Sequence, residues 1–481
     1  MKLSAPFILL IFLGASLFFQ GCTQEDVITS NPADKLRFST DTLSFDTVFS
    51  TLGTTTAWLK IYNPNSHKIR ISNITLKSGG TKGYHLNVDG SSDYPFTDVD
   101  IPAKDSMYLF VSLTAVEQDV NGPNVVEDAI LFETNGNQQQ IVLRAYSQNA
   151  VIWHGKTITA DTTLTADKPF LVYDSLVVSE NVTLTVSEGV GLYFHNGANV
   201  QVYGTVKING TQTSPVTFRG DRLDDELADF PYDNYPGQWG GINLKKTSFN
   251  NDWNYVHIRG ASTGVTADSS STDQSKLKLS NSVIHNMTYD CLKSCNCKLT
   301  VTNCQLSNSG SYTVYIVGGQ ADFVFCTIAN YQQLVSRDGG SALMLVNRLI
   351  DSNNHETTYP LNANFINTIV FGTQNEEFGL DLSKDSLISG NVYFGYCLLK
   401  LSSALSSKYA SNCLYPADPY FLKLGTEAEN YLYDFRIDSI SPARNAADPG
   451  YSRLYPTDMN GITRVGGNPS DIGAYHWSSG Q

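Results

Sequence analysis

The chain reads as all-β: a β-sandwich followed by a parallel β-helix. Three observations predict this. Tyr and Phe number 26 and 23 against 5 Met, amid long Ser/Thr/Asn/Gly-rich stretches. That composition favours strands and turns over helices. Residues 36–148 alternate apolar and polar at period two between turn clusters. Residues 276–286 (KLKLSNSVIHN), 298–308 (KLTVTNCQLSN) and 320–330 (QADFVFCTIAN) align at an offset of 22, twice, without gaps. With 41% aliphatic, aromatic and Cys residues and 16% charged ones, the 481 residues can build large cores. Against 46 acidic side chains stand 32 basic ones, a net charge of −14. No basic stripe exists to displace phosphate counterions, so the balance argues against a nucleic-acid partner.

Residues 1–21 read as an address, not as fold. Lys2 supplies a positive start, and Ala5 to Phe19 form an uncharged apolar run of signal-peptide length. The run ends at Phe19-Gln20-Gly21-Cys22. A small residue directly before Cys resembles the lipobox of bacterial lipoproteins, in the looser form found in Bacteroidetes. The resemblance implies cleavage before Cys22 and lipidation of its thiol, with the membrane reached through that anchor. Polar residues 22–35 read as a tether. Within them Gln24-Glu25-Asp26 resembles the short acidic signal that sends Bacteroidetes lipoproteins to the outer face of the outer membrane.

Residues 36–148 carry several short alternating strands, including a hairpin around Asn135-Gly136-Asn137, and so predict a β-sandwich. The stretch DTVFSTLGTTTAWLKIYNPNSHKIRISNITL resembles the immunoglobulin-like domains of the ASH/hydin kind. His67 and His85 stand alone and read as solvent-facing.

From residue 149 to 445 the chain reads as stacked rungs. The 22-residue register turns Leu277/Leu299/Ala321 and Leu279/Val301/Phe323 inward on one strand. After a bend it turns Ser282/Cys304/Cys326 and Ile284/Leu306/Ile328 inward on the next. Asn286/Asn308/Asn330 fall at a corner, where stacked amides can satisfy backbone groups that a turn leaves unpaired. Rungs about 4.8 Å apart stack these columns continuously. The whole resembles the right-handed parallel β-helix proteins, the pectate-lyase-like solenoids. Residues 446–481 end in Asp458, Gly461, Arg464 and Asp471-Ile472-Gly473-Ala474-Tyr475, which resembles the end motif of secreted bacterial β-helix proteins, with His476 where Glu is usual. The expectation is that this segment caps the open end of the solenoid and that Arg464 bridges carboxylates.

Of the 8 Cys, seven remain after Cys22. Cys291, Cys295 and Cys297 lack paired C-x2-C spacing, and Cys304 and Cys326 belong to the inward ladder. The cysteines therefore read as small buried stack residues, in preference to zinc or a disulfide. A loop of unusual composition separates Phe218 from Ile242: FRGDRLDDELADFPYDNYPGQWGGINL. It resembles a recurring insertion of Bacteroidetes β-helix lipoproteins. Asp221, Asp224 and Asp233 beside Tyr232 and Trp239 suit a glycan, which offers hydroxyls at its edge and C–H groups on its face. The same acids, with Asp225, Glu226 and Asp229, are candidate Ca²⁺ ligands, an ion that takes about six to eight oxygens. The competing reading is a packed loop in which Arg222 pairs with a carboxylate and Trp239 covers a rung.

Neither HExxH, P-loop nor dinucleotide fingerprint is present. Lys278, Lys293 and His285 point outward and would form a basic wall if the rungs aligned them, as a polysaccharide lyase needs. His257 and His285 read as separate surface residues. The expected function is therefore that of a lipid-anchored outer-membrane protein, exposed at the cell surface, whose β-helix binds glycan or another envelope component. The alternatives are a polysaccharide lyase or glycoside hydrolase of the β-helix class, with no catalytic set recognised, and a purely structural surface protein.

Overall fold

The computed structural model describes residues 27–479, apart from 118, 120–121, 228–229, 338, 351–352, 384–389, 427–430 and 467–468. Cys22 and the address preceding it lie outside the described residues. The chain divides after Gln148 into two units.

The first unit packs two sheets on one core. Arg37–Phe38, Ala57–Tyr62, Ser106–Leu113 and Tyr84–Val88 form the four-stranded sheet in that spatial order. Thr42–Phe49, Asn137–Gln148, Asn124–Thr134, Ile69–Leu76 and Phe96–Ile101 form the five-stranded one. Every pairing is antiparallel except that of Thr42–Phe49 with Asn137–Gln148. Alternation decides which residues turn inward: Leu59, Ile61, Leu109, Val111 and Leu113 from one sheet meet Ile71, Ile74, Ile130, Phe132 and Leu143 from the other. The expected hairpin closes at Asn135-Gly136, both at positive φ, as a two-residue turn requires. Residues 28–35 do not behave as a tether. Thr29 donates its amide to the Lys68 carbonyl, and Asn137 donates its side-chain amide to the Pro32 carbonyl, so this stretch is fastened to the sandwich.

The second unit is a parallel β-solenoid. Its strands form a 17-stranded and a 10-stranded sheet, and all pairings in both are parallel. One rung runs through Leu277–Ser280, Val283–Met287 and Leu292–Cys295. The next places Leu299 on Leu277, Val301 on Leu279 and Leu306 on Ile284, and the one after adds Ala321, Phe323 and Ile328. All these residues, with Ser282, Cys304 and Cys326, are buried. The 22-residue register is therefore the register of the structure.

The corners carry more than the sequence reading found. Tyr255, Asn281, Asn303, Phe325, Asn367, Tyr396 and Asn412 form one column in which every residue has φ between 48° and 54°. Each amide from Tyr255 to Tyr396 in this column donates to a carbonyl of the rung above. Asn is the residue that tolerates this left-handed conformation best after Gly. From Asn281 onward the next residue carries a hydroxyl or thiol that donates two residues back: Ser282 to the Ser280 carbonyl, Cys304 to Thr302, Cys326 to Val324, Thr368 to Ile366, Cys397 to Gly395, Cys413 to Ser411. Side-chain amides link Asn303 to Asn281 at 3.1 Å and Asn281 to Asn254 at 2.8 Å. In the expected column, Asn308 reaches Asn286 at 3.5 Å, but Asn330 turns its amide to the Ser309 carbonyl instead.

The C-terminal segment does not cap the end of the solenoid. It lies along the side of the rungs, where outward positions become apolar: Phe325, Ala329, Ile369, Phe371 and Leu398 form a second core with Phe435, Ile437, Ile472, Ala474 and Tyr475. Arg464 bridges carbonyl-type oxygens rather than carboxylates. It is buried over the Phe325 ring at 3.9 Å and donates to Asn303 Oδ1, Thr457 O, Gly473 O and Ala474 O. Asp458 and Asp471 meanwhile accept backbone amides of their own segment, those of Ile462, His476, Asn445 and Trp477.

Candidate functional site

The inserted loop leaves strand Val216–Gly220 and returns through Gly241–Leu244. Between them, Asp225–Leu227 pairs antiparallel with Phe230–Pro231, and a 3₁₀ turn spans Tyr232–Asn234. Arginines organise it. Arg219 donates to the Arg222 carbonyl at 2.8 Å. Arg222 grips Asp224 with two bonds of 3.0 and 2.5 Å, and its guanidinium lies 3.6 Å over the Tyr232 ring. Gln238 gathers the turn by donating to the Tyr232 and Tyr235 carbonyls. Asn286 of the adjacent rung donates to the Asn234 carbonyl at 3.3 Å.

Trp239 is fully buried and corrects the expectation that it faces a ligand. Its ring stacks on Phe194 at 4.3 Å, and its indole N–H donates to the Arg259 carbonyl. A flat apolar ring of this size gains more from the dry solenoid interior than from the surface. Gly241 makes the re-entry possible: at φ 95° it brings the backbone so close that a Cβ would sit 1.6 Å from the Thr263 carbonyl oxygen. The packed-loop alternative thus holds for Arg222 and Trp239.

The three acids are each engaged. Asp221 lies 2.7 Å from His195 Nδ1. Asp224 is held by Arg222. Asp233 stands between two cations, 3.0 Å from Arg219 Nε and 2.7 Å from Arg259 Nε. Asp224 and Asp233 point at the chain's own guanidinium groups and Asp221 at the His195 imidazole, and among the described residues no group of three or more His, Cys, Asp or Glu converges as a metal site. The side chains of Asp225 and Glu226, and Asp229 as a whole, lie outside the described residues. Around Asp233 the balance is two guanidinium groups to one carboxylate, and burial pushes the Arg219 pKa down.

An aromatic column that the sequence reading missed runs beside this cluster. His154 stacks on Tyr173 at 4.7 Å, Tyr173 meets His195 at 4.5 Å with the rings tilted by 36°, and His195 meets Asp221. The parallel register puts successive outward residues one rung apart, which is stacking distance for flat rings. Tyr193 lies on the neighbouring outward column with Arg219, in register. The available signal was the outward position of His154, Tyr173 and His195 on the first rungs. These rungs are too irregular in length for the 22-residue alignment to reach.

Farther along, Lys293 and Tyr315 pair in register with the ammonium 5.7 Å from the ring, and Tyr312 stacks on Tyr315 at 5.0 Å. Asp290 accepts the Tyr312 amide, and burial raises its carboxyl pKa. The basic wall is not assembled. Lys278 sits on the 10-stranded sheet beside Asp252, while His285 and Lys293 belong to two different strands of the 17-stranded sheet. His257 and His285 are not plain surface residues. Both are half-buried, and burial, aided by Arg259, pushes His257 down to about 4 and His285 to about 3. Cys291, Cys295, Cys297, Cys304, Cys326, Cys397 and Cys413 are free thiols.

No protein-family model matches this chain, and no curated protein matches it. Among solved structures, a stretch covering 24% of the chain is similar to 32% of the VesB protease of Vibrio cholerae, at 11% identity and a TM-score of 0.18. A stretch of the same extent is similar to 26% of a family 123 glycoside hydrolase of Clostridium perfringens, at 8% identity and a TM-score of 0.16. The matches span a third or less of those chains, and scores this low carry no argument about activity.

Proposed function

We propose that this chain is a lipid-anchored protein of a bacterial outer membrane, of the Bacteroidetes kind, whose solenoid binds glycan on the face formed by the first rungs. The observation that carries the binding reading is the stacked column His154, Tyr173 and His195 beside Tyr193, Arg219, Arg259 and Asp233. Its rings offer flat faces to sugar C–H groups. The flanking guanidinium and carboxylate groups offer charged hydrogen-bond partners to hydroxyls or to an acidic sugar. The anchoring reading rests on the apolar run that ends at Gly21-Cys22.

Purified residues 23–481 on a glycan array test the binding. Tyr173→Ala and Tyr193→Ala are expected to weaken a positive signal about tenfold, roughly the 1.4 kcal/mol of one stacking contact, with the thermal midpoint nearly unchanged. Binding insensitive to both substitutions would refute this face as the site. Release of reducing ends or unsaturated sugars in a parallel degradation screen would replace the reading with a hydrolase or lyase. Metabolic labelling with an alkyne fatty acid tests the anchor: label that survives in Cys22→Ser sinks it.

A further inference from the structure

We propose a second carbohydrate-binding surface, on the outward face of the four-stranded sheet of the first unit, which does not depend on the solenoid reading. Along Ala57–Tyr62 the alternation buries Leu59 and Ile61 and turns Trp58, Lys60 and Tyr62 outward. Along Ser106–Leu113 it buries Leu109, Val111 and Leu113 and turns Tyr108 and Phe110 outward. The antiparallel register sets Trp58 opposite Phe110, and Lys60 opposite Tyr108. The side chains meet. Trp58 and Tyr108 rings lie 5.4 Å apart edge-on, and Tyr108 stacks on Phe110 at 6.2 Å. The Lys60 ammonium lies 5.2 Å from the Tyr108 ring and 5.5 Å from the Tyr62 ring.

Such large rings have every reason to be inside, yet Trp58 is 55% exposed and Tyr62, Tyr108 and Phe110 are exposed with it. Contiguous exposed apolar surface of this kind marks interaction sites. The composition of the patch selects the occupant. Its outward positions on the three long strands are Trp58, Lys60, Tyr62, Ser106, Tyr108, Phe110, Ser112, His85 and Asn87, without one aliphatic side chain. A lipid surface or a hydrophobic protein interface would call for aliphatics. Rings alternating with hydroxyl, amide and imidazole groups match a polyhydroxylated chain, which is apolar on its faces and hydrogen-bonding at its edges. Phe110 also borders a groove of about 570 Å³ whose polar lining includes Thr56, His85, Asn87, Ser92 and Ser112. No carboxylate lines that groove, in a chain of net charge −14. With Lys60 beside it, the platform therefore accepts neutral or acidic glycans alike. Platform and groove together give the combination of apolar wall and few polar groups that small-ligand sites use.

The test is native affinity electrophoresis of residues 23–481 in gels containing laminarin, xylan, mannan or polygalacturonate. At least one polysaccharide is expected to retard the protein, and the dissociation constant is expected to rise at least tenfold in Trp58→Ala and in Tyr108→Ala. Tyr108→Phe, which keeps the ring, is expected to retain binding. Both positions are outward, so the circular-dichroism melting curve of each variant should stay at the wild-type position. Retardation by none of the four polysaccharides, or retardation unchanged in the Trp58→Ala/Tyr108→Ala double variant, overturns the proposal. Retardation lost in Tyr173→Ala but kept in that double variant assigns binding to the solenoid and overturns this site alone. The reverse pattern supports this site and removes the solenoid one.

Discussion

His257 and His285 show how neighbours, not identity, decide what a side chain does. They stand on either side of the Ile258/Ile284 column, near Arg259, which itself faces Asp233. Burial and the guanidinium hold both well below the ordinary 6.5. Between about pH 6.5 and pH 4 the unfolded chain binds protons that the folded chain refuses, so stability is lost as pH falls through this window. The thermal midpoint of the solenoid is expected to drop from pH 7 to pH 4.5, and to drop less in a His257→Gln/His285→Asn double variant. Equal slopes in the two proteins would remove these histidines as the cause. The loop acids teach the same lesson. Asp221, Asp224, Asp233, Tyr232 and Trp239 were legible as a cluster, but of the two arginines that claim Asp233, Arg219 stands at the loop's own start while Arg259 comes from another strand. Only the cross-rung register brings Arg259 there.

At the scale of the element, the 22-residue offset was legible because columns of identical parity must be apolar in a stacked rung. A second corner was harder to see. Asn286, Asn308 and Asn330 form an unbroken Asn column in sequence, and Asn286 and Asn308 are left-handed, whereas the longer left-handed column reads Asn281, Asn303, Phe325 and is broken by an aromatic residue. The column is defined by backbone φ, which Phe325 also adopts because its ring is buried against Arg464 and Tyr455. Asn303 combines three duties: positive φ, the amide link to Asn281, and acceptance from Arg464. Asn303→Ala is expected to cost about 1–3 kcal/mol for the partners left unsatisfied, plus about 1–2 kcal/mol for the left-handed backbone. Asn303→Gly should recover only the backbone part. Urea unfolding of the three proteins checks this, and equal midpoints for the Ala and Gly variants would show that φ contributes nothing.

For the whole molecule, the two units have separate hydrophobic cores, one closed between two sheets and one running along the solenoid. Cores that share no residues unfold separately unless an interface couples them. Calorimetry of residues 23–481 is expected to resolve two transitions, with only the upper or only the lower one displaced by Leu306→Ala. A single transition displaced as a whole would show that the units melt together.

What the sequence determined by itself was whatever follows from periodicity: an all-β chain, a sandwich of alternating strands, a parallel stack with a 22-residue rung, and the inward set that includes Ile284, Leu306 and Ile328. Periodicity suffices there because burial acts on each residue through its own parity. Tertiary structure alone decided the rest. It put Trp239 inside, laid the C-terminal segment along the apolar side of the rungs, and gave Arg464 four oxygens instead of carboxylates. It also stacked His154, Tyr173 and His195 into one surface. Each of these depends on which distant residues a strand meets across the stack, and pairing between rungs of unequal length is not written in the spacing of any one of them.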